Sequence, residues 1–180
     1  MAGHNKWKQI KNRKEVVDKK KNRVFSKILA AITLAAREEK NPQFNPRLRS
    51  LIEKARAASL PQDNIERAIH KMSERPLLEI IIEAYGTGGV ALLIPCITDN
   101  SNRTISELRK LLSDFGARMA EQGSVQWIFQ GEAPQFFQTL PEVDLQKFSK
   151  LYEALHEYPD TQEIKMNIDP AQYKEITGEE

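Results

Sequence analysis

The chain has a single cysteine in 180 residues, Cys96, so an internal disulfide is excluded. That cysteine sits in the apolar run VALLIPCI, reads as a small buried hydrophobe, and fits a reducing compartment. No apolar stretch approaches the ~20 residues needed to cross a bilayer. No apolar core follows the first positive charges, which excludes a secretory signal. The start also lacks the Ser-rich, Arg-dominated composition of a transit peptide, so it reads as part of a mature cytoplasmic protein. The three histidines, His4, His70 and His156, share no ligand spacing with one another or with Cys96, and neither metal nor other cofactor is expected. GTGG at 86–89 lacks the GK[ST] and the following helix of a phosphate loop. There is no GxSxG, no setting for an activated thiolate, and no carboxylate pair whose pKa values the sequence sets apart. No enzyme is expected.

Acids are scarce in one half only. Residues 1–75 hold nineteen Lys and Arg against eight Asp and Glu, an excess of +11. Residues 76–180 hold eight against seventeen, or −9, and the two halves together give the net +2. Opposite charge in two halves points to two modules, one with a basic surface that meets a polyanion. The excess is densest in the first twenty-seven residues, with ten Lys and Arg against Glu15 and Asp18 and a single tryptophan, Trp7. Such a run cannot bury its ammonium groups and stays solvated or pairs with phosphate.

The apolar pattern gives the elements. Residues 1–14 have no apolar period and read as a mobile arm. From Glu15 the spacing of Phe25, Ile28, Ile32 and Ala35 predicts a helix to about Lys40, with Lys19, Lys20, Arg23 and Lys27 on its basic face. Asn45-Pro46 opens a second helix with the stripe Leu48, Leu51, Ile52, Ala55. Pro61 starts a third with Ile65, Ala68, Ile69 and Met72. Three short amphipathic helices bury one another's stripes, which predicts a bundle over 1–75.

After Ser73–Pro76 the period changes. Residues 77–85 and 90–98 read as a β-hairpin around Gly86, Gly88 and Gly89. Asp99, Asn100 and Ser101 cap a helix over about 102–115, with Gly116 as its left-handed stop. Strands are expected at 124–130, 134–140 and 162–167, and a helix at 144–157. Without the first strand this is the ferredoxin-like order βαββαβ, so an α+β domain over 76–180 with helices on one face is expected. In the polar stretch TDNSNRT, capping does not account for Asn102, Arg103 and Thr104. Arg103 has two readings there, a ligand contact or a surface ion pair.

GHNKWKQIKNRK, FSKILAAI, NPRLRSLIEKARAASLPQDNIERAI, YGTGGVALLIPCITDNSNRT and EQGSVQWIF, in this order, resemble the YebC/PmpR family, which includes the mitochondrial translational activator of cytochrome c oxidase. The resemblance runs over residues 2 to about 130 and resumes more weakly over 134–168. It implies a non-enzymatic regulator, either a DNA-binding transcriptional regulator or a translation factor that acts on the ribosome and eases synthesis through proline-rich stretches. It carries over Lys6, Trp7, Lys11, Arg13 and Lys14 as nucleic-acid contacts, beside the further basic residues Lys8, Lys19, Lys20, Arg23 and Lys27. Relatives carry an additional α/β domain after the strand that matches SVQWIF. Here Gly131 and Glu132 lead almost directly into PQFFQTLPEVDLQKFSK, so the resemblance implies a short member without that insertion. Asn5 stands where Ser is usual, and EEKNPQ where a Gly-rich loop is usual.

The expected function is therefore nucleic-acid binding without catalysis, with DNA and ribosomal RNA both open as targets. Trp7 has two roles open to it, stacking on an exposed base or packing under the bundle. The rival reading is a protein-interaction module whose basic domain binds an acidic partner. No membrane partner is expected, because the first helix needs its apolar face for the bundle.

Overall fold

The computed structural model describes residues 3–71, 76–131 and 133–178, with side chains from Asp18 onward. They form two compact units, Met1–Glu74 and Arg75–Glu180.

The first unit is three helices: α1 (Gly3–Ala35), α2 (Pro46–Ala57) and α3 (Gln62–His70). Their stripes meet in one core of Ile28, Ile32, Leu48, Ile52 and Ile65, with Phe25 and Leu29 at its margin. Burying each of these large side chains stabilises the bundle by roughly 1.5–3 kcal/mol. Asn45 fastens two helices at once. Its Oδ1 accepts from the Leu48 N–H at 2.9 Å and caps α2, while Nδ2 donates to Ala35 O at 2.9 Å and Glu39 O at 2.8 Å beyond the end of α1. Thr33 Oγ1 donates to Ala68 O at 3.0 Å and ties α1 to α3. α2 stops in a Schellman turn: Leu60 N–H reaches Ala55 O and Ser59 N–H reaches Arg56 O, both at 2.9 Å. Ser59, at φ 59°, is the one non-glycine with positive φ among the described residues.

The helix expected from Glu15 starts at Gly3 instead. Absence of an apolar period is not absence of helix. Lys, Arg, Gln and Glu are straight-chained and cost a helix little. Residues 3–14, expected as a mobile arm, are helical, and the side chains of residues 1–17 lie outside the described residues.

The second unit is α+β. Its sheet is the hairpin β1 (Leu78–Tyr85) and β2 (Ala91–Thr98), flanked by β3 (Arg118–Met119) on β1 and β4 (Lys165–Met166) on β2, every pair antiparallel. The hairpin turns through Thr87–Gly89, where Gly88 and Gly89 hold φ of 66° and 77°. Ile82, Ala84, Leu92, Ile94 and Cys96 line one face. Helices α4 (Ser101–Asp114) and α5 (Glu142–Glu157) cover it with Leu108, Leu112, Phe148 and Leu155. Cys96 is fully buried there. Asn100 caps α4 through Oδ1, and Gly116 (φ 71°) completes its Schellman stop, with Ala117 N–H on Leu112 O at 2.8 Å.

The strand order differs from the expected βαββαβ. Residues 124–130 form no strand; Gln126–Phe129 is a 3-10 turn. The cause is Glu83, buried in β1 on the opposite face from Ile82. Its carboxylate accepts from the N–H groups of Gly123 (2.5 Å), Val125 (2.6 Å) and Gln126 (3.0 Å). Those donors are thereby unavailable to a ladder, and the loop folds down so that Val125, Ile128 and Phe129 cover Ala91 and Leu93. Burial alone would raise the Glu83 pKa, but the three backbone donors outweigh it and hold the group below its ordinary value.

Residues 134–140 also form no strand. Only Gln138 pairs, in a parallel bridge to Ile168, and Phe136 and Phe137 stay half-exposed between Pro134 and Pro141. The last strand shortens to Lys165–Met166. A short helix α6 (Pro170–Thr177) follows, capped by Asp169 and stopped by Gly178. Its Asp-Pro start and Gly stop are both local signals of helix ends. The strand β3 is too short to carry a period.

Candidate nucleic-acid interface

Among the described side chains, Phe25 is the first of α1 to pack on the bundle core. The helix runs unbroken from Gly3, so twenty-two residues lie before Phe25, about 33 Å at 1.5 Å per residue. Continuous helix over this length gives the basic residues a geometry that an irregular arm would not. Positions Lys6, Arg13, Lys20 and Lys27 recur every seven residues and share one stripe of α1, spanning about 31 Å. Glu15 and Asp18 fall on the other side of the helix at 3.6 residues per turn.

Of the expected contacts, Lys6, Trp7, Lys8, Lys11, Arg13 and Lys14 have their backbone in α1 and their side chains outside the described residues. Lys19 and Lys20 are exposed. Arg23 and Lys27 are partly buried and already engaged within the protein. The sequence reading leaves out Lys21, which is exposed with its Nζ 5.4 Å from the Phe25 ring centroid, a cation–π contact at the point where the bundle begins. The KKK run is the signal for it.

The second expected contact is brought into a different arrangement. Arg103 pairs through Nη1 with Asp99 Oδ1 at 3.2 Å and through Nη2 with Asp160 Oδ2 at 2.9 Å. Nη2 also donates to Thr98 Oγ1 at 3.2 Å. Buried Thr104 donates its hydroxyl to the same Asp160 oxygen at 2.6 Å. Beside them Tyr158 donates to Glu107 Oε2 at 2.5 Å. Burial, reinforced by that carboxylate, pushes the Tyr158 phenol up to about 12. These bonds fasten the start of α4 to the loop after α5, so the guanidinium of Arg103 has structural partners. Asn102 is exposed on the first turn of α4. Asp160, distant in sequence, is the partner that local reading misses.

Among the described residues no group of three or more His, Cys, Asp or Glu is placed to hold a metal ion. No described helix is long and apolar enough to cross a membrane.

Two family models match the chain: the TACO1/YebC protein N-terminal domain over residues 5–75, and the TACO1/YebC second and third domain over residues 77–134. A probable transcriptional regulatory protein of Petrotoga mobilis is 43% identical over 175 residues, covering 94% of this chain and 68% of that protein. One of the same name from Fervidobacterium nodosum is 51% identical over 135 residues, covering 72% of this chain and 54% of that one. The chain thus spans between about half and two thirds of the length of these relatives. The crystal structure of a conserved hypothetical protein from Aquifex aeolicus superposes with a TM-score of 0.75 at 27% identity, over 82% of this chain and 90% of that one. With a basic three-helix unit and the hairpin-centred α+β unit each matched by its own model, the chain belongs to the TACO1/YebC family.

Proposed function

We propose that the chain is a non-catalytic regulator of gene expression in the cytoplasm that binds nucleic acid through the N-terminal part of α1. The supporting observation is the basic stripe 6–13–20 on a continuous helix that runs about 33 Å before Phe25. Such a segment is solvated in the free protein and releases condensed counterions when it lies on a phosphate backbone. That similar proteins are probable transcriptional regulatory proteins favours DNA as the target. The lack of any recognisable base-reading module favours structured RNA, such as that of the ribosome, where phosphate contacts and shape suffice. A role in easing translation through proline-rich stretches belongs to the second target and rests on the family resemblance.

The test is a pair of binding assays at several salt concentrations, one with duplex DNA and one with purified ribosomes. The triple variant Lys11→Glu, Arg13→Glu, Lys14→Glu should lose binding and keep its helical circular dichroism. The slope of log K against log salt should flatten by about 0.9 for each duplex phosphate that is no longer neutralised. Unchanged affinity would remove α1 as the contact. Failure of the parent protein to bind either probe at physiological salt would leave the acidic-protein partner as the better reading.

A further inference from the structure

A cleft of ≈ 480 Å³ lies in the second unit. Its lining comes from both sides of the sheet. Phe129 belongs to the cluster under the 120–129 loop, while Ile164, Met166 and Ile168 belong to the cluster under α4 and α5. Residues from both faces meet only at a sheet edge, so the cleft runs along the outer edge of β4. The sheet order β3-β1-β2-β4 makes β4 the terminal strand.

The register tells which backbone groups face the cleft. Asn167 N–H donates to Ala91 O, and Lys165 stands opposite Leu93. In an antiparallel ladder the residues that exchange bonds with the partner strand alternate with residues whose N–H and C=O point outward. With Lys165 and the Asn167 N–H facing β2, the N–H and C=O of Met166 and the C=O of Ile164 face out. Just past Met166 the Asn167 carbonyl turns outward, and there Gln138 already pairs: Gln138 N–H donates to Asn167 O at 2.6 Å and Asp169 N–H donates to Gln138 O at 2.8 Å. One residue of the chain thus demonstrates pairing on this edge and stops short of 164–166.

Charge selects the kind of occupant. Lys165 and Lys174 stand on the rim, exposed, and neither ammonium is paired among the described residues. The rim carboxylate, Glu163, already has a partner of its own. Phe137, 47% exposed, offers an apolar wall. A small apolar molecule would leave the outward N–H and C=O groups and both ammonium groups unanswered. An extended chain answers all of them.

We propose that the edge of β4 is a binding site for an extended peptide of a partner protein, added to the sheet as a further strand beyond Ile164–Met166. The segment alternates apolar residues, which enter the cleft, with acidic ones that meet Lys165 and Lys174.

The probe is a synthetic decapeptide of alternating Asp and Ile residues, titrated into the full-length ¹⁵N-labelled protein. Amide shifts should move at Ile164, Met166 and Gln138 and stay fixed in α2 and α3. Double charge reversal, Lys165→Glu with Lys174→Glu, should weaken binding roughly tenfold or more. The same peptide methylated on alternate backbone nitrogens keeps its side chains and loses its donors, and it should not bind. Undiminished binding of the methylated peptide, or shifts confined to the basic helices, would overturn the proposal. So would broadening with a doubled mass on sedimentation in the absence of peptide, which would make a second copy of this chain the occupant.

Discussion

Replacing Glu83 by glutamine tests the argument that one buried carboxylate shapes the second unit. The side chain keeps its size but loses its charge and exchanges one acceptor oxygen for a donor. In the parent, both oxygens are used: Oε1 by Gly123 N–H, Oε2 by Val125 and Gln126 N–H. In the variant the amide NH₂ must face at least one backbone N–H, donor against donor. Hydrogen bonds to a charged acceptor contribute about 1.5–3 kcal/mol each, so losing the charge and at least one bond should cost about 2–4 kcal/mol. Urea denaturation followed by fluorescence of Trp127, whose Nε1 is held on Ser124 O at 2.9 Å in the same loop, reads this loss. Faster amide exchange at Gly123, Val125 and Gln126 locates it. The pH dependence supplies the sign. Burial opposes the charge, but the backbone donors prevail and the folded pKa lies below the ordinary value of 4.5. A depressed carboxylate contributes stability that is complete above the unfolded pKa and is lost as pH falls through the folded one. The gap between parent and variant should therefore be widest at neutral pH and shrink at pH values below 4.5. A gap that is constant with pH, or a cost under about 0.5 kcal/mol, would refute the claim that the charged carboxylate organises the loop.

Other substitutions probe the turns. Asn45→Ala removes the α2 cap and two donors to the end of α1, and should destabilise the first unit by about 2–4 kcal/mol in thermal unfolding followed by circular dichroism. Ser59→Gly relieves a left-handed residue at a Schellman stop and should stabilise the same unit by roughly 0.5–1 kcal/mol, seen as a higher melting temperature. Gly88→Ala drives a Cβ into Leu140 Cδ2 at φ +66°, and should cost about 1–3 kcal/mol by the urea midpoint of the second unit.

The sequence discloses whatever is local and periodic. The stripes of α2 and α3, the Asn45-Pro46 start, the Asn100 cap, the Gly116 stop and the glycine hairpin are each set by neighbours within a few residues, and each forms where the spacing places it. Residues 124–130 mislead because SVQWIF has strand composition, while the decision lies with Glu83, far upstream in the chain. An acid inside IIIEAY is the available sign, since a buried carboxylate must collect donors from somewhere. The α1 start misleads for the opposite reason. Helix can persist through charged residues without a stripe, and hydrophobic periodicity is silent about it. At the candidate site the sequence names the basic residues but cannot place Lys6, Arg13, Lys20 and Lys27 on one line, because that alignment exists only if the helix is continuous.

The boundary drawn by family likeness and the boundary drawn by packing do not coincide. The family model for the second and third domains ends at residue 134. The core on β1 and β2 does not close there: Leu145, Phe148, Leu151 and Leu155 from α5, with Ile164, Met166 and Ile168 around β4, are all buried against it. Remove them and the face carrying Ile82, Leu92 and Ile94 keeps only α4 for cover, exposing apolar surface worth roughly 1.5–3 kcal/mol for each large side chain uncovered. The part of the chain beyond the family model is thus physically required by the part within it. Only residues 130–141 join the 3-10 turn to α5. At this join the chain exposes Phe136 and Phe137, and beyond it α5, β4 and α6 bring the Lys165 and Lys174 rim to the sheet edge. A change of chain length at this join would therefore act directly on the β4 edge and the cover of the second core.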